Sequence, residues 1–477
     1  MKNNLDKLLQ KGLLWSMLEV FIKRLFDLLV KLVLARILFP EEFGIVGMAA
    51  VFTSFVQVIS EMGIGSALIQ RKKEQLNDLH FQTAFWFSLL WGTFLYGIII
   101  FLSPLVSEFY NEPVLQKVVP ILGLPILVSS VNTINKAQLM RELNFKKLAI
   151  INNVSSILAG IGAIVLAFND FGIWALVFNV VVPFFVAVPL LFMATQWKPK
   201  LVWEKKAFFE IFGFGIFTFG TAIILNISAN VDYLVIGKLI SAASLGAYTL
   251  AFMLTSMVSS QITSMVNRVM FPFYSAIQSD LEKVKIYYLR VVKYYAVIIY
   301  PIMLSLIVLG GPILSIFFGA KWVEAKVPMR ILAVAVLINV LTSSYNLLFR
   351  SIGKPRLEMK ILLSILIFAT IPAIVFGANF YGIRGVAYGI LFSSVVNLLV
   401  VLVLLKKHFQ INWRNISYAV TPAVIAFIIT FAIISSLYLY TSMHAILIIA
   451  LLFVIYFTIC AFFFKEELQK LKSILKR

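Results

Sequence analysis

Charged residues are scarce in this sequence, since Asp, Glu, Lys and Arg make up only 13% of its 477 residues. Soluble globular proteins carry about 25%. The chain also lacks a polar stretch long enough for a sizeable soluble domain, whereas 61% of its residues are hydrophobic. Apolar runs of about 20 residues, long enough to cross roughly 30 Å of hydrocarbon, recur along almost its whole length. The composition therefore predicts an all-α polytopic membrane protein.

Several enzyme and cofactor signatures are absent. The single cysteine, Cys460, lies in an apolar run and cannot form an internal disulfide. No G-x-x-x-x-G-K-[ST] phosphate loop occurs, and His80, His408 and His444 lack the spacing of metal ligands. A membrane glycosyltransferase or polymerase would need acidic residues in a substantial outward-facing loop, and these loops are only a few residues long. We therefore expect no enzyme activity, metal or cofactor.

The apolar runs predict about fourteen transmembrane helices, and an even number places both termini on one side of the membrane. The predicted spans are 12–37, 43–69, 80–107, 114–139, 146–168, 171–195, 207–230, 240–274, 286–317, 326–350, 357–378, 383–405, 416–437 and 443–464.

The net charge of +20 is distributed unevenly between the two sides of this topology. About 29 of the 41 lysines and arginines fall in connectors on the side shared by the termini. The positive-inside rule makes that side cytoplasmic. Since the basic residues form no single domain, a nucleic-acid partner is not expected. The opposite connectors are short and carry Glu41, Glu42, Glu108, Glu112, Asp170 and Asp232.

Two short segments recur in the sequence. Residues 35–44 (ARILFPEEFG) align without gaps with residues 237–246 (GKLISAASLG). Residues 169–173 (NDFGI) match residues 379–383 (NFYGI). Each pair joins equivalent helices of a six-helix set, which indicates an internal repeat. The alternative is that Gly and Asn simply recur in helix-connecting turns.

The repeat predicts two six-helix lobes in the same orientation. The expected domains are an N-terminal lobe at 1–200, a C-terminal lobe at 201–410, and two extra helices with a basic cytoplasmic tail at 411–477.

The first helix contains the most informative charges. Glu19, Lys23, Asp27 and Lys31 follow one another at intervals of four and share one face, with Arg24 beside them. Each charge near the centre of a membrane helix costs about 2.5 to 3.5 kcal/mol, so this face must line a cavity or contact a partner. An amphipathic helix lying flat on the membrane is the alternative, but the equivalent seventh helix is strongly apolar. The face could bind substrate or pair its own charges at i,i+4.

Other polar residues at membrane depth are few. Arg268 is the preferred single candidate for a phosphate ligand, because a guanidinium binds phosphate bidentately. Glu19, Glu61 and Arg268 are predicted at similar depth, where a structural ion pair is the alternative role. Four asparagines are expected to form hydrogen bonds between helices. The further candidates are Gln57, Asn226, Asn230, Asp232 and Asn267, and the four asparagines are Asn152, Asn153, Asn339 and Asn346.

Several segments resemble the bacterial polysaccharide flippases of the multidrug/oligosaccharidyl-lipid/polysaccharide exporter superfamily. The resemblance runs from about residue 10 to about residue 410 and is closest to the colanic acid, teichuronic acid and lipopolysaccharide branch. It is carried by GLLWSMLEVF, by LVLARILFPEEFGIVGMAAVFTSFVQVISEMGIGSALIQRK, by NRVMFPFYSAIQSD, by GGPILSIFFGAKWVEAKVPMRILA and by LLFRSIGKP.

The resemblance implies two six-helix lobes forming a V around a central cavity, with two extra helices. It implies movement of undecaprenyl-pyrophosphate-linked oligosaccharide across the bacterial cytoplasmic membrane by alternating access. The expected partners are that lipid-linked substrate, membrane lipids, a glycan polymerase and glycosyltransferases.

The resemblance also assigns expected roles. The lipid pyrophosphate would bind Lys23 and Arg24, with Lys31 and Arg268 as second choices and Asn226 and Asn230 nearby. Glu19 and Asp27 depart from the basic cavity that the resemblance implies. With Glu61 and Asp232, they are expected to couple transport to protons or sodium, or to form ion pairs in the cavity. A cation-driven drug antiporter of the same superfamily and a non-transporting scaffold for polysaccharide assembly are the competing functions.

Overall fold

The computed structural model describes residues 2–61, 64–71, 76–212, 216–440 and 443–463. These residues form seventeen α-helices and no β-strand. The helices are α1 (Lys2–Ile37), α2 (Pro40–Glu61), α3 (Ile64–Gln70), α4 (Asp78–Tyr110), α5 (Leu115–Arg141), α6 (Phe145–Phe168), α7 (Ile173–Thr195), α8 (Lys205–Phe212), α9 (Ile216–Leu239), α10 (Ala242–Ala276), α11 (Leu281–Ile313), α12 (Lys326–Leu341), α13 (Tyr345–Ser351), α14 (Pro355–Ile365), α15 (Ile371–Phe409), α16 (Trp413–Tyr440) and α17 (Ala445–Phe463). Two π-helical turns, Leu314–Phe318 and Leu366–Thr370, and one 3-10 helix, Ala320–Ala325, complete them.

The prediction of an all-α, multi-pass membrane protein is confirmed. Among the described residues, 11 helical segments are long and apolar enough to cross a membrane. The number fourteen stays a prediction. Helix α1 is not among these 11 segments, although residues 12–37 are a predicted span. Its charged face lowers its hydropathy below that of the other spans.

A second difference concerns residues 356–409, which form one apolar run of 54 residues. Gly382 interrupts this run with φ 56° and ψ −142°, a backbone conformation open mainly to glycine. Gly377 and Gly385, on either side of the turn, approach so closely that a Cβ on either would overlap the other's carbonyl group. The run therefore doubles back on itself, as the predicted spans 357–378 and 383–405 require.

The glycines matched by the second repeat share this backbone geometry. Gly172, between α6 and α7, has φ 54° and ψ −127°, close to the values of Gly382. The match seen in the sequence is thus also a match in conformation.

The chain divides into two compact units, Met1–Gly246 and Ala247–Arg477. In the first unit, Val30 and Leu34 of α1 belong to a buried cluster with Ala163 of α6 and Ala175 of α7. In the second unit, a cluster joins α11, α16 and α17, and it consists of Leu304, Val308, Leu309, Ile434, Ile448 and Leu452. The predicted domain boundaries at residues 200 and 410 stay predictions.

Helix α1 packs tightly against α6 because α6 has a glycine at the crossing. A Cβ on Gly160 would lie 2.6 Å from Phe26 Cε1 and 2.6 Å from Val30 Cγ2. This close approach brings the charged face of α1 within hydrogen-bonding distance of polar side chains on α6.

Candidate functional site

A polar cavity of about 400 Å³ lies inside the first unit. Four helices, α1, α5, α6 and α7, supply its walls. Its lining residues are Glu19, Lys23, Asp27, Lys31, Lys136, Asn152, Ser155, Ser156, Asn179, Val180, Pro183, Phe184 and Ala187. All four members of the predicted α1 face are among them, so the prediction that this face lines a cavity is confirmed.

Lys23 contacts polar groups on its own helix and on a neighbouring helix. Its Nζ lies 3.1 Å from Asp27 Oδ2 on the next turn of α1 and 3.0 Å from Ser156 Oγ on α6. The Lys23 and Asp27 side chains are 42% and 32% exposed, so both remain reachable from the cavity. The i,i+4 pair predicted as an alternative to substrate contact is therefore present, and Lys23 also bridges two helices.

Glu19 is held by a neutral donor. Asn152 Nδ2 of α6 donates to Glu19 Oε1 over 2.6 Å. This bond confirms the prediction that Asn152 links helices. It fixes one carboxylate oxygen and leaves the second able to accept from another group.

Lys136 of α5 was missed by sequence reasoning. It lies five residues before the end of α5 at Arg141, where a lysine is typical of a cytoplasmic helix end. Its position in the cavity wall changes the charge there. Lys23, Lys31 and Lys136 outnumber Glu19 and Asp27, so the lining carries a net positive charge.

Ser155 offers an additional polar atom. It lines the cavity beside Ser156, and its Oγ is buried without a hydrogen-bond partner among the described residues. A buried hydroxyl of this kind costs free energy unless water or a ligand satisfies it. The cavity thus presents cations, a hydroxyl and amides together, which suits an anion rich in oxygen atoms.

The comparisons with known proteins agree with this architecture. Residues 33–327 match the family model described as "Polysaccharide biosynthesis protein". The chain belongs to this family. It is similar to the lipopolysaccharide biosynthesis protein WzxC of Escherichia coli (strain K12), with 26% identity over 81% of this chain and 78% of that protein. It is also similar to the teichuronic acid biosynthesis protein TuaB of Bacillus subtilis (strain 168), with 26% identity over 71% of this chain and 70% of that protein.

The family fold resembles two kinds of solved transporter. The lipid II flippase MurJ in an inward closed conformation matches with a TM-score of 0.76 and 16% identity, over 96% of this chain and 100% of that one. An inward-facing multidrug resistance MATE family transporter of the MOP superfamily matches with a TM-score of 0.65 and 16% identity, over 81% and 94%. At these identities the likeness shows the fold.

Some predicted site residues of this family member lie away from the cavity. Arg24 is exposed on α1 and is not part of the lining. Asn226 of α9 accepts a hydrogen bond from Ser54 Oγ of α2 over 3.4 Å. Asn230 donates back to the Asn226 carbonyl over 2.8 Å. Buried Asp232 accepts from the Tyr233 backbone N–H over 3.0 Å. The roles predicted for these residues stay predictions.

Two further candidates, Glu61 and Arg268, have side chains outside the described residues. Their predicted depth and contacts therefore stay predictions as well.

Proposed function

We propose that this protein flips undecaprenyl-pyrophosphate-linked oligosaccharide from the inner to the outer leaflet of the bacterial cytoplasmic membrane, for the synthesis of a surface polysaccharide. The single observation that carries the proposal is the cavity of the first unit, whose lysines outnumber its carboxylates. Membership of the polysaccharide biosynthesis family supports the substrate class. The relatives include a "Succinoglycan biosynthesis transport protein" of Rhizobium meliloti (strain 1021), which supports transport rather than catalysis.

The cavity suits the pyrophosphate more than the sugars. Its volume of about 400 Å³ is at the low end of the roughly 300–1,000 Å³ typical of small-ligand pockets. The pyrophosphate and its first sugar are the parts of the substrate that match it in size. Lys23, Lys31 and Lys136 would contact the phosphate oxygens, and Ser155 would donate its unpaired hydroxyl.

An exchange of partners at Lys23 would couple binding to ion movement. In this structure Lys23 is paired with Asp27 and Ser156. A pyrophosphate that takes the ammonium group would leave Asp27 without its cation. Such a carboxylate favours uptake of a proton or a sodium ion. Release of the substrate on the other side would restore the Lys23–Asp27 pair.

The transport cycle would be alternating access, with the cavity opening to each side in turn while the prenyl tail stays in lipid. An inside-negative potential assists outward movement of an anion by about 2.3 kcal/mol per charge per 100 mV. Both termini would be cytoplasmic, and a glycan polymerase and glycosyltransferases would be the functional partners. Arg24 and Arg268 would also bind the headgroup.

The test is a set of single alanine substitutions at Lys23, Lys31, Lys136, Arg24 and Arg268 in a strain that depends on this gene for its surface glycan. We expect the first three to reduce glycan export at least tenfold at normal protein level, because each removes a phosphate ligand. Lys23→Arg should retain more export than Lys23→Ala. Normal export in all of the lysine variants would disprove the anion-binding role of the cavity.

A drug or metabolite antiporter is the second candidate, because Glu19 and Asp27 could bind a cationic substrate in the same cavity. In that case Glu19→Gln and Asp27→Asn would abolish cation-dependent drug efflux, and loss of the gene would leave surface glycan unchanged. A non-transporting scaffold would tolerate all substitutions in the cavity.

A further inference from the structure

The connector between α7 and α9 is fastened to the start of α4. Gln82 Nε2 donates to the Lys198 carbonyl over 3.3 Å, and Gln82 Oε1 accepts from the Lys200 backbone N–H over 2.6 Å. Trp86 Nε1 donates to the Lys200 carbonyl over 2.7 Å. Gln82 is buried, so these bonds are shielded from water. The connector therefore runs as a fixed strap along α4.

Two more bonds extend the strap in both directions. Thr83 Oγ1 accepts from the Glu204 backbone N–H over 3.1 Å, and Trp197 Nε1 donates to Asp78 Oδ1 over 3.4 Å. The strap thus follows the first turns of α4, from Asp78 to Trp86.

The strap lies at the depth of the lipid headgroups. Helix α4 contains 33 residues, which at 1.5 Å per residue gives about 50 Å. The hydrocarbon core is about 30 Å thick, and a bilayer with its headgroups about 40–45 Å. The first turns of α4, and the strap beside them, therefore fall in the interfacial layer.

Bulky apolar side chains of the strap point away from the protein. Leu201 is 87% exposed and Phe209 is 61% exposed, and Val202 and Trp203 are also exposed. Their outward direction is selective, because Ala207 of α8 is buried and Phe208 contacts Phe87 of α4 with ring centroids 4.9 Å apart. Tryptophan, phenylalanine and leucine in this position are typical of a segment that enters the membrane interface.

The strap also carries lysines close to these apolar side chains. Residues 196–209 contain Lys198, Lys200, Lys205 and Lys206, all exposed, and a single acidic residue, Glu204. The segment therefore carries a net charge of +3 next to exposed apolar groups. A basic segment at the interface attracts anionic lipids.

We propose that the strap, residues 196–209, is a docking surface for anionic phospholipids of the cytoplasmic leaflet. The lysine ammonium groups contact the lipid phosphates, and Leu201, Trp203 and Phe209 insert between the first methylene groups of the acyl chains. Since the strap is bonded to α4, the lipids hold the first unit at a fixed depth. This surface is separate from the lysine cavity and does not depend on the transported substrate.

The experiment uses the full chain in lipid nanodiscs of phosphatidylcholine with a minority of phosphatidylglycerol. Bromine is placed on the acyl chains of one lipid or of the other, and quenching of tryptophan fluorescence is compared. Subtracting the signal of a Trp203→Phe variant isolates Trp203 from the other tryptophans. We expect brominated phosphatidylglycerol to quench Trp203 about twofold or more above its mole fraction, and added salt to weaken this enrichment.

Two sets of four substitutions locate the charges responsible. Replacing Lys198, Lys200, Lys205 and Lys206 by Gln should abolish the enrichment. Replacing four lysines of the second unit by Gln should preserve it; these are Lys354, Lys360, Lys406 and Lys407.

Three results would overturn the proposal. The first is quenching of Trp203 by each brominated lipid in proportion to its mole fraction, a result that needs no lysine variant. The second is enrichment that survives in the strap variant. The third is enrichment lost in both sets, which would indicate a response to total charge. Failure of glycan transport in the lysine cavity would leave all three readouts unaffected.

Discussion

A Cβ on Gly44 would overlap the carbonyl oxygen of Ala242. The relationship is reciprocal, since a Cβ on Gly246 would overlap the carbonyl oxygen of Pro40. Pro40 and Ala242 are the first residues of α2 and α10, and they are equivalent positions in the first internal repeat. The two repeat segments therefore meet each other through their helix N-termini, with a glycine at each contact.

Gly44→Ala and Gly246→Ala should each destabilise the protein. A methyl group at either position meets backbone atoms, which cannot rotate away as a side chain can. The helix ends must move apart, and overpacking of this kind costs about 1–3 kcal/mol. Thermal unfolding of the purified variants in detergent measures the loss.

Gly97→Ala in α4 is the matched control, because a Cβ there meets no heavy atom within 4 Å. We expect it to be neutral or slightly stabilising. The Gly44→Ala/Gly246→Ala double variant should lose less stability than the sum of the losses in the two single variants. One displacement of the helix ends relieves both overlaps. Strict additivity would show that the contacts are independent.

Gly382→Ala should lower the free energy of unfolding by about 1–3 kcal/mol, because the turn residue has φ 56° and ψ −142°. Gly172→Ala should cost more. Its backbone is equally strained, and its Cβ would also lie 2.6 Å from Glu42 Oε1. That carboxylate accepts from the Phe39 backbone N–H through Oε2 over 2.7 Å.

The excess cost at Gly172 can be separated with a double-mutant cycle. In a Glu42→Ala background the methyl group introduced by Gly172→Ala no longer meets a carboxylate, so Gly172→Ala and Gly382→Ala should become equal in their effect on the melting temperature. A persistent difference would place the cause elsewhere.

The sequence contained enough information for the helices and for the charged face of α1. Glu19, Lys23, Asp27 and Lys31 were grouped by their spacing of four, and the structure places all of them in one cavity wall. The cost of a charge in hydrocarbon made that prediction firm, because only a cavity or a partner could accept the face.

Other site features could not be predicted from one sequence. Lys136 near a helix end looks like any topology-determining lysine, and only the packing of α5 against α7 directs it inward. The hydrogen bond from the Asn230 side chain to the carbonyl of Asn226 in its own helix also could not be predicted, and the expected role of Asn230 in substrate binding stays a prediction. Hydropathy reports depth along a helix, and it does not report which neighbour a side chain faces.

The ion pair between Arg350 and Glu358 should contribute more to stability than an exposed ion pair of the second unit. Arg350 Nε and Nη2 donate to the two Glu358 oxygens over 2.7 and 2.8 Å, and the Glu358 side chain is only 2% exposed. Arg350→Met would leave a buried carboxylate unpaired, which costs about 3–5 kcal/mol. Thermal unfolding should show a clear fall in melting temperature, and Glu358→Gln should cost less because it removes the charge.

The comparison pair is Lys285 and Glu282, which lie 3.4 Å apart with Glu282 68% exposed. Surface pairs contribute about 0–1 kcal/mol, so Lys285→Met should change the melting temperature little. Equal losses at Arg350 and Lys285 would contradict the importance of burial.

Gln82→Met should release the strap from α4. Methionine is close to glutamine in size and shape but replaces its amide with a thioether, so the carbonyl of Lys198 and the N–H of Lys200 lose their buried partner. Lys200 is an exposed trypsin site, because Leu201 follows it, and cleavage requires a locally open backbone. We expect trypsin to cut after Lys200 at least several times faster in the variant, by mass spectrometry of timed digests. Cleavage after Lys406 and Lys407, at the end of α15, provides the internal reference and should keep its rate, because these sites are exposed and lie in the second unit. An equal acceleration at both places would mean general unfolding, whereas no acceleration after Lys200 would mean that Trp86 and Thr83 hold the strap without Gln82.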